Sequence, residues 1–107
     1  MICKQKLNKN LDNLGFREST PGTEYIRMGI QMVDERRTAM MCKEIYPGIA
    51  KAAGRTPAAI ERCMRTAINA AMESPTWETA WRDMGGWGRP TNSELMHRLA
   101  RESAYED

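Results

Sequence analysis

Three side chains that can bond to nucleic-acid bases stand close together in mid-chain, at Glu61, Arg62 and Arg65. Their spacing puts them on one side of an α-helix. Arginine donates paired hydrogen bonds to O6 and N7 of guanine, while glutamate accepts from the amino group of cytosine or holds a neighbouring arginine in place. These residue types indicate contacts to base edges, and both roles of Glu61 stay open.

The sequence gives weaker evidence for a catalytic or metal-binding site than for contacts to bases. His97 and Cys63 are the candidate base and nucleophile, but no third orienting group or oxyanion loop accompanies them. Cys3, Cys42 and Cys63 are widely spaced and the chain has 1 histidine, which predicts reduced thiols and neither a zinc site nor a disulfide framework. We therefore expect no enzyme activity, no metal and no cofactor.

Proline and glycine mark the two helices that must position the arginines. Pro47 begins a short helix, Gly54 ends it in the left-handed conformation, and Thr56-Pro57 begins a longer helix. The longer helix extends over about 57–73, and its inward stripe is predicted at Ile60, Cys63 or Met64, Ala67, Ile68 and Ala71. Together they predict a helix-turn-helix from about Tyr46 to Arg65.

Within this helix-turn-helix, Ala50 is small because two helices cross against it, and Ile60 fills the gap between them. The other inward positions are predicted to be Ile49, Ala53 and Cys63. Ala58, Glu61, Arg62 and Arg65 then face away from the core and are the predicted base contacts in the major groove. The predicted phosphate contacts are Lys51, Arg55, Thr56 and Arg89.

The charge distribution agrees with a polyanionic partner. The whole chain carries a net charge of only +2, but the basic residues Lys51, Arg55, Arg62 and Arg65 share their segment with one acid, Glu61. Such a basic surface is typical of a protein that binds double-stranded DNA. The alternative interpretation is a solvated helix face with no partner.

Elsewhere, apolar residues recur every three or four positions, which predicts an all-α, single-domain bundle of five to six helices over residues 22–104. Residues 1–21 are polar and are expected to form a flexible arm with one loose helical turn near Leu7 to Leu14. The other predicted helices are Thr23 to Val33, Glu35 to Ile45 with Asp34 as its cap, one that carries Trp77 and Trp81, and one that begins at Thr91 with Glu94 completing a capping box.

A chain of 107 residues is long enough for one core but not for two. It has no apolar run long enough to span a membrane and no apolar stretch after Met1 that is typical of a secretory signal. We therefore expect a cytoplasmic protein with no membrane partner.

Three separated motifs carry a family resemblance: Ile45-Tyr46-Pro47-Gly48-Ile49-Ala50, Thr56-Pro57 with Ile60-Glu61-Arg62 and Arg65, and Arg89-Pro90-Thr91-Asn92-Ser93-Glu94. From about Leu14 to Glu102 the chain resembles the C-terminal effector domain of the stage-zero sporulation response regulator of endospore-forming Firmicutes. The resemblance implies a six-helix domain that binds short tandem DNA boxes as a head-to-tail pair, with base contacts from the helix that holds Glu61, Arg62 and Arg65. It also places the segment around Trp77, Trp81 and Met84 near the family's contact with the RNA polymerase sigma subunit, although a core role for these side chains is favoured.

Two departures from the family pattern change what is expected. Ala59 and Thr66 stand where the family has an arginine and a histidine, so the preferred DNA box is expected to differ or to be relaxed. Residues 1–21 are too few to form the family's phosphoacceptor receiver domain. Unless the chain is part of a longer protein, we expect no phosphorylation control and a stand-alone protein, such as one carried by a mobile element or phage.

Two functions are therefore kept as hypotheses. The first is a transcriptional regulator that binds double-stranded DNA sequence-specifically. The alternative is a protein-interaction module on the same fold, such as a mobile-element-borne modulator of a host regulator or nuclease. The alternative is motivated by the missing family contacts at Ala59 and Thr66 and by the low net charge.

Overall fold

A computed structural model describes residues 1–36 and 40–105. Within these ranges the chain forms six α-helices and no β-strand, apart from an isolated bridge between Ile2 and Ala104. The predicted all-α, single-domain fold is confirmed. The helices are α1 (Lys4–Leu14), α2 (Pro21–Arg36), α3 (Tyr46–Ala53), α4 (Pro57–Met72), α5 (Trp77–Asp83) and α6 (Asn92–Glu102), and a π-helical turn (Met41–Ile45) leads into α3.

One apolar core gathers side chains from all six helices. Helix α4 contributes Met64 and Ile68 to it, and α2 crosses α4 closely. At that crossing a Cβ atom on Gly22 would lie 2.1 Å from the carbonyl oxygen of Cys63. Glycine is required at this position because any side chain would push the two helices apart.

Helix α1 differs from the expected flexible arm. Leu7, Leu11 and Leu14 are buried along one face of this 11-residue helix, which packs against α5 and α6. Gly15 ends the helix with φ 93°. The three leucines have helical spacing, and the apolar surface they cover offsets the polar composition of the segment.

The next helix is also longer than predicted. Asp34 lies inside α2, so it is not the cap of a second helix. The helix predicted over Glu35 to Ile45 includes residues 37–39, which lie outside the described residues. On α2 the buried apolar side chains are Ile26, Ile30 and Val33, whereas Tyr25, Met28 and Met32 are only half-buried.

The helix starts predicted from threonine are confirmed. The hydroxyl oxygen of Thr56 accepts a hydrogen bond from the backbone N–H of Ala59 at 3.2 Å. At α6, Thr91 accepts from the N–H of Glu94 at 3.0 Å, and the Glu94 carboxylate accepts from the N–H of Thr91, which completes the capping box. Across the described ranges, no helix is long and apolar enough to cross a membrane.

Candidate nucleic-acid interface

Helices α3 and α4 meet at a glycine turn. Gly54 has φ 67° and ψ 36°, and its N–H donates to the carbonyl oxygen of Ala50. Ile49, Ala50 and Ile60 are buried as predicted. The left-handed turn lets the chain reverse within the three residues between α3 and α4, so α4 starts directly after α3 has ended.

Two predicted inward positions are wrong in detail. Ala53 is exposed, because the last residue of α3 points to solvent next to the turn. Cys63 is only half-buried, and Met64 is the fully buried side chain at this level of α4. Of the two residues that the sequence left open for this position, Met64 fills the core.

One side of α4 is exposed along its whole length. Ala58, Arg62 and Arg65 lie on it, as predicted from the helical period. Thr66 and Asn69 are exposed on the same side. We call these five residues the outer face. Sequence reasoning did not single out Asn69, although it follows Arg65 by four residues and Arg62 by seven, the spacing that marks one helix side.

Glu61 is held at the border of the outer face by an ion pair with Arg65. Its carboxylate oxygen Oε1 lies 3.0 Å from Nη1 of Arg65, and the side chains of Arg65 and Glu61 are 53% and 40% exposed. In the free protein, Glu61 therefore orients an arginine, which is one of the two roles that the sequence left open. An exposed pair of this kind contributes only about 0.3–0.5 kcal/mol to stability.

Asn92, the first residue of α6, joins three helices at the back of this site. Its side-chain Nδ2 donates to the hydroxyl of Tyr46 on α3 at 3.1 Å and to the backbone carbonyl of Glu61 on α4 at 3.2 Å. Burial raises the pKa of the Tyr46 phenol above its ordinary value, against the opposing effect of the Asn92 hydrogen bond. The phenol therefore stays neutral, and Asn92 fixes how α4 sits on α3 and α6.

A groove of about 830 Å³ runs along one border of the outer face. It is lined by Glu61 and Arg65 from α4 and by Arg89 and Ser93 from the segment before and at the start of α6. Arg89, which is 24 positions after Arg65 in the chain, thus shares a groove with it. We call this border the Arg89 edge.

Arg55 lies at the other border. Its Nη1 donates to the hydroxyl of Tyr25 at 3.4 Å and to Sγ of Cys63 at 3.5 Å. Arginine is charged at any physiological pH, and the Tyr25 hydrogen bond raises the pKa of this exposed guanidinium further. Successive helix residues are about 100° apart, which puts Cys63 and Glu61 on opposite sides of Arg62. The outer face therefore lies between Arg55 on one edge and Arg89 on the other.

The family described as "Sporulation initiation factor Spo0A C terminal" matches residues 7–102 of this chain. The chain belongs to this family. The match begins within α1 and ends at the last residue of α6, so it includes most of the segment that was expected to be an arm. The Spo0A C-terminal family is one of DNA-binding effector domains and not of enzymes.

Ala59 and Thr66, the two positions expected to depart from the family pattern, fall in different places. Thr66 is exposed on the outer face, where a side chain meets solvent. Ala59 is only 8% exposed, in the first turn of α4, beside the outer face. In this Spo0A-type domain only one of the two departures therefore lies on the outer face.

Proposed function

We propose that this Spo0A-type domain is a transcriptional regulator that binds double-stranded DNA sequence-specifically, with α4 in the major groove. The observation that carries the proposal is the outer face itself, with Arg62 and Arg65 exposed on it and with Arg55 and Arg89 on its two edges. The major groove is about 12 Å wide and admits one helix. A helix in the groove meets base edges with its exposed side and phosphates with its flanks.

Arg62 is the first candidate for a paired hydrogen bond to guanine. It is exposed, and it forms no ion pair with any residue that the structure describes. Arg65 is paired with Glu61. In the complex, Glu61 and Arg65 can act on neighbouring base pairs, with the arginine on guanine O6 and N7 and the carboxylate on a cytosine amino group. Ala58 lies one turn earlier and offers an apolar contact to a thymine methyl group.

The edges supply contacts that do not distinguish bases. Lys51 and Thr56 lie exposed near the turn, together with Arg55, and Arg89 lies on the opposite edge. These side chains fit the two phosphate backbones that border the groove. Each phosphate that a cation neutralises makes log K fall more steeply with log salt, by about 0.9 per contact.

Selection of bound sites from a random duplex pool at near-physiological salt tests the proposal. We expect one short motif to be enriched and the selected duplex to bind about a thousandfold or more tightly than a scrambled one. Replacing both Arg62 and Arg65 by alanine should remove this preference. Arg101→Ala, which removes an exposed arginine of α6, is the matched control and should leave it unchanged.

Two outcomes would contradict the proposal. The first is a double variant that still prefers the selected duplex, because the contacts to bases would then lie elsewhere. The second is the absence of any enriched motif, which would favour the alternative of a protein-interaction module on the same fold. Duplexes with one box and with two tandem boxes also test whether two copies bind head to tail.

A further inference from the structure

Trp87 is a large apolar side chain that the fold leaves in solvent. It is 78% exposed, whereas Trp77 and Trp81 are 5% and 3% exposed and stack on each other with ring centroids 5.6 Å apart. An isolated exposed tryptophan costs hydration free energy without contributing to the core. Tryptophan is enriched at binding interfaces, so this exposed side chain is a candidate contact residue.

The segment that carries Trp87 is held at both ends. On one side, the N–H of Gly86 donates to the carbonyl oxygen of Trp81 at 2.8 Å. A Cβ atom on Gly86 would lie 2.1 Å from the indole of Trp81, so the backbone rests directly on that ring. On the other side, Pro90 is buried and Thr91 caps α6. Trp87 is thus presented to solvent by a fixed backbone.

Two arginines flank this side chain. The guanidinium carbon of Arg82 lies 4.8 Å from the centroid of the Trp87 ring, a cation–π contact. Arg89 follows two residues later and lines both the groove beside Glu61 and a hollow of about 540 Å³ that contains Trp87 and Met72. Met72 is the last residue of α4. Trp87 therefore extends the Arg89 edge towards the C-terminal end of α4.

We infer that Trp87 contacts the sugar–phosphate backbone of the DNA strand on the Arg89 edge. The inference rests on the proposed function, because it needs α4 in the major groove. The indole is a flat apolar surface with a single N–H donor. These properties suit a deoxyribose ring and the phosphate oxygen beside it. Arg89 adds positive charge there, while Arg82 is paired with Glu78 at 2.9 Å and holds the indole by its cation–π contact. The contact raises affinity for every duplex alike, since backbone contacts carry no base identity.

Fluorescence quenching by acrylamide tests the contact directly. Trp87 is the accessible fluorophore of the free protein, because the other two tryptophans are buried. The variant Trp87→Phe, measured in parallel, gives the signal of the buried pair. We expect the Trp87 signal to be quenched in the free protein and protected in the complex with the selected duplex. Unchanged quenching of Trp87 in the saturated complex would overturn the inference.

Binding titrations give a second, independent measurement. Trp87→Ala should weaken binding to the selected and the scrambled duplex alike, by about five- to tenfold, and leave the salt slope unchanged because no charge is lost. Arg89→Ala should instead reduce the slope by about 0.9. The matched control Tyr105→Ala removes an exposed aromatic next to Met1 and should bind like the wild type.

The results separate the two proposals. If a motif is enriched but Trp87→Ala binds with wild-type affinity, the inference is wrong and the proposed function stands. A protein partner would then be the remaining candidate for a contact with Trp87. If the wild-type protein enriches no motif and does not bind duplex DNA, both proposals are wrong.

Discussion

The inward and outward faces of α4 are made of different residues for different purposes. The inward face is filled by side chains with almost no exposed surface, including Ile60, Met64 and Ile68. The outer face carries Arg62, Arg65 and Asn69, which the core does not need. One helix thus keeps the side chains that stabilise the core on one side and the side chains that we propose for DNA contact on the other. Substitutions on each side should then have separable effects.

The strongest test of that separation is the cavity substitution Ile60→Ala on the inward face. Ile60 is fully buried at the crossing of α3 and α4, so its truncation should lower the free energy of unfolding by about 2–5 kcal/mol. Urea denaturation measures this loss. Thr66→Ala on the outer face is the control and should stay within about 0.5 kcal/mol. A loss below about 1 kcal/mol for Ile60→Ala would mean that the crossing is not packed as described.

The converse substitution is Arg62→Ala on the outer face. We expect discrimination between the selected and a mismatched duplex to fall by about 1–3 kcal/mol, because a paired hydrogen bond to guanine is lost. The free energy of unfolding should change by no more than about 0.5 kcal/mol. Paired binding and denaturation experiments check both values. If Arg62→Ala lowered the discrimination between duplexes and the free energy of unfolding by equal amounts, the two faces would not be independent.

Asn92→Ala tests the hydrogen bonds that fix α4 on α3 and α6. Loss of its two donated hydrogen bonds, to Tyr46 and to the Glu61 carbonyl, should cost about 1–2 kcal/mol of unfolding free energy. It should also weaken the preference for the selected duplex, since α4 loses the hydrogen bond from Asn92 that fixes how it sits on α6. Asn69→Ala, an exposed asparagine on α4, is the control for stability and should leave unfolding unchanged. Wild-type stability in Asn92→Ala would show that these two hydrogen bonds do not hold the three helices together.

The smallest effect is expected from Glu61→Gln at the border of the two faces. Stability should fall by only about 0.3–0.5 kcal/mol, because the ion pair with Arg65 is half exposed. Affinity for scrambled duplex at low salt should rise, since a negative charge leaves the DNA-binding side. The control Glu24→Gln removes an exposed acid of α2, which lies 3.9 Å from Arg27, and should not raise affinity. Unchanged affinity in Glu61→Gln would place this carboxylate away from the DNA.

Local signals made the helix-turn-helix predictable from the sequence. The signals are Pro47, Gly54 and Thr56-Pro57. Each acts through its own backbone preference, which does not depend on the tertiary contacts of the chain. The start of α6 was predictable for the same reason. The side chains of Thr91 and Glu94 each accept a hydrogen bond from the other residue's backbone N–H, all within four residues. The exposed side of α4 could then be predicted from the helical repeat of its apolar residues.

Other features depend on partners far along the chain and could not be predicted. Leu7, Leu11 and Leu14 have helical spacing in the sequence, but whether this segment packs on the domain or stays an arm depends on the surface that α5 and α6 offer. The hydrogen bond between Arg55 and Tyr25 joins residues 30 positions apart, and Asn92 bonds to a phenol 46 positions away. Such pairs are fixed by tertiary packing, which periodicity does not encode.

The two ends of the domain are joined by hydrogen bonds. The N–H of Cys3 donates to the carbonyl oxygen of Ser103 at 2.7 Å, and the N–H of Tyr105 donates to that of Met1 at 3.1 Å. A short peptide could therefore connect residue 105 to residue 1 in a circular permutant, with new ends opened at the exposed pair Glu18-Ser19. Such a permutant would keep the outer face intact, and the domain could be inserted as a module into a loop of another protein without disturbing how it meets DNA.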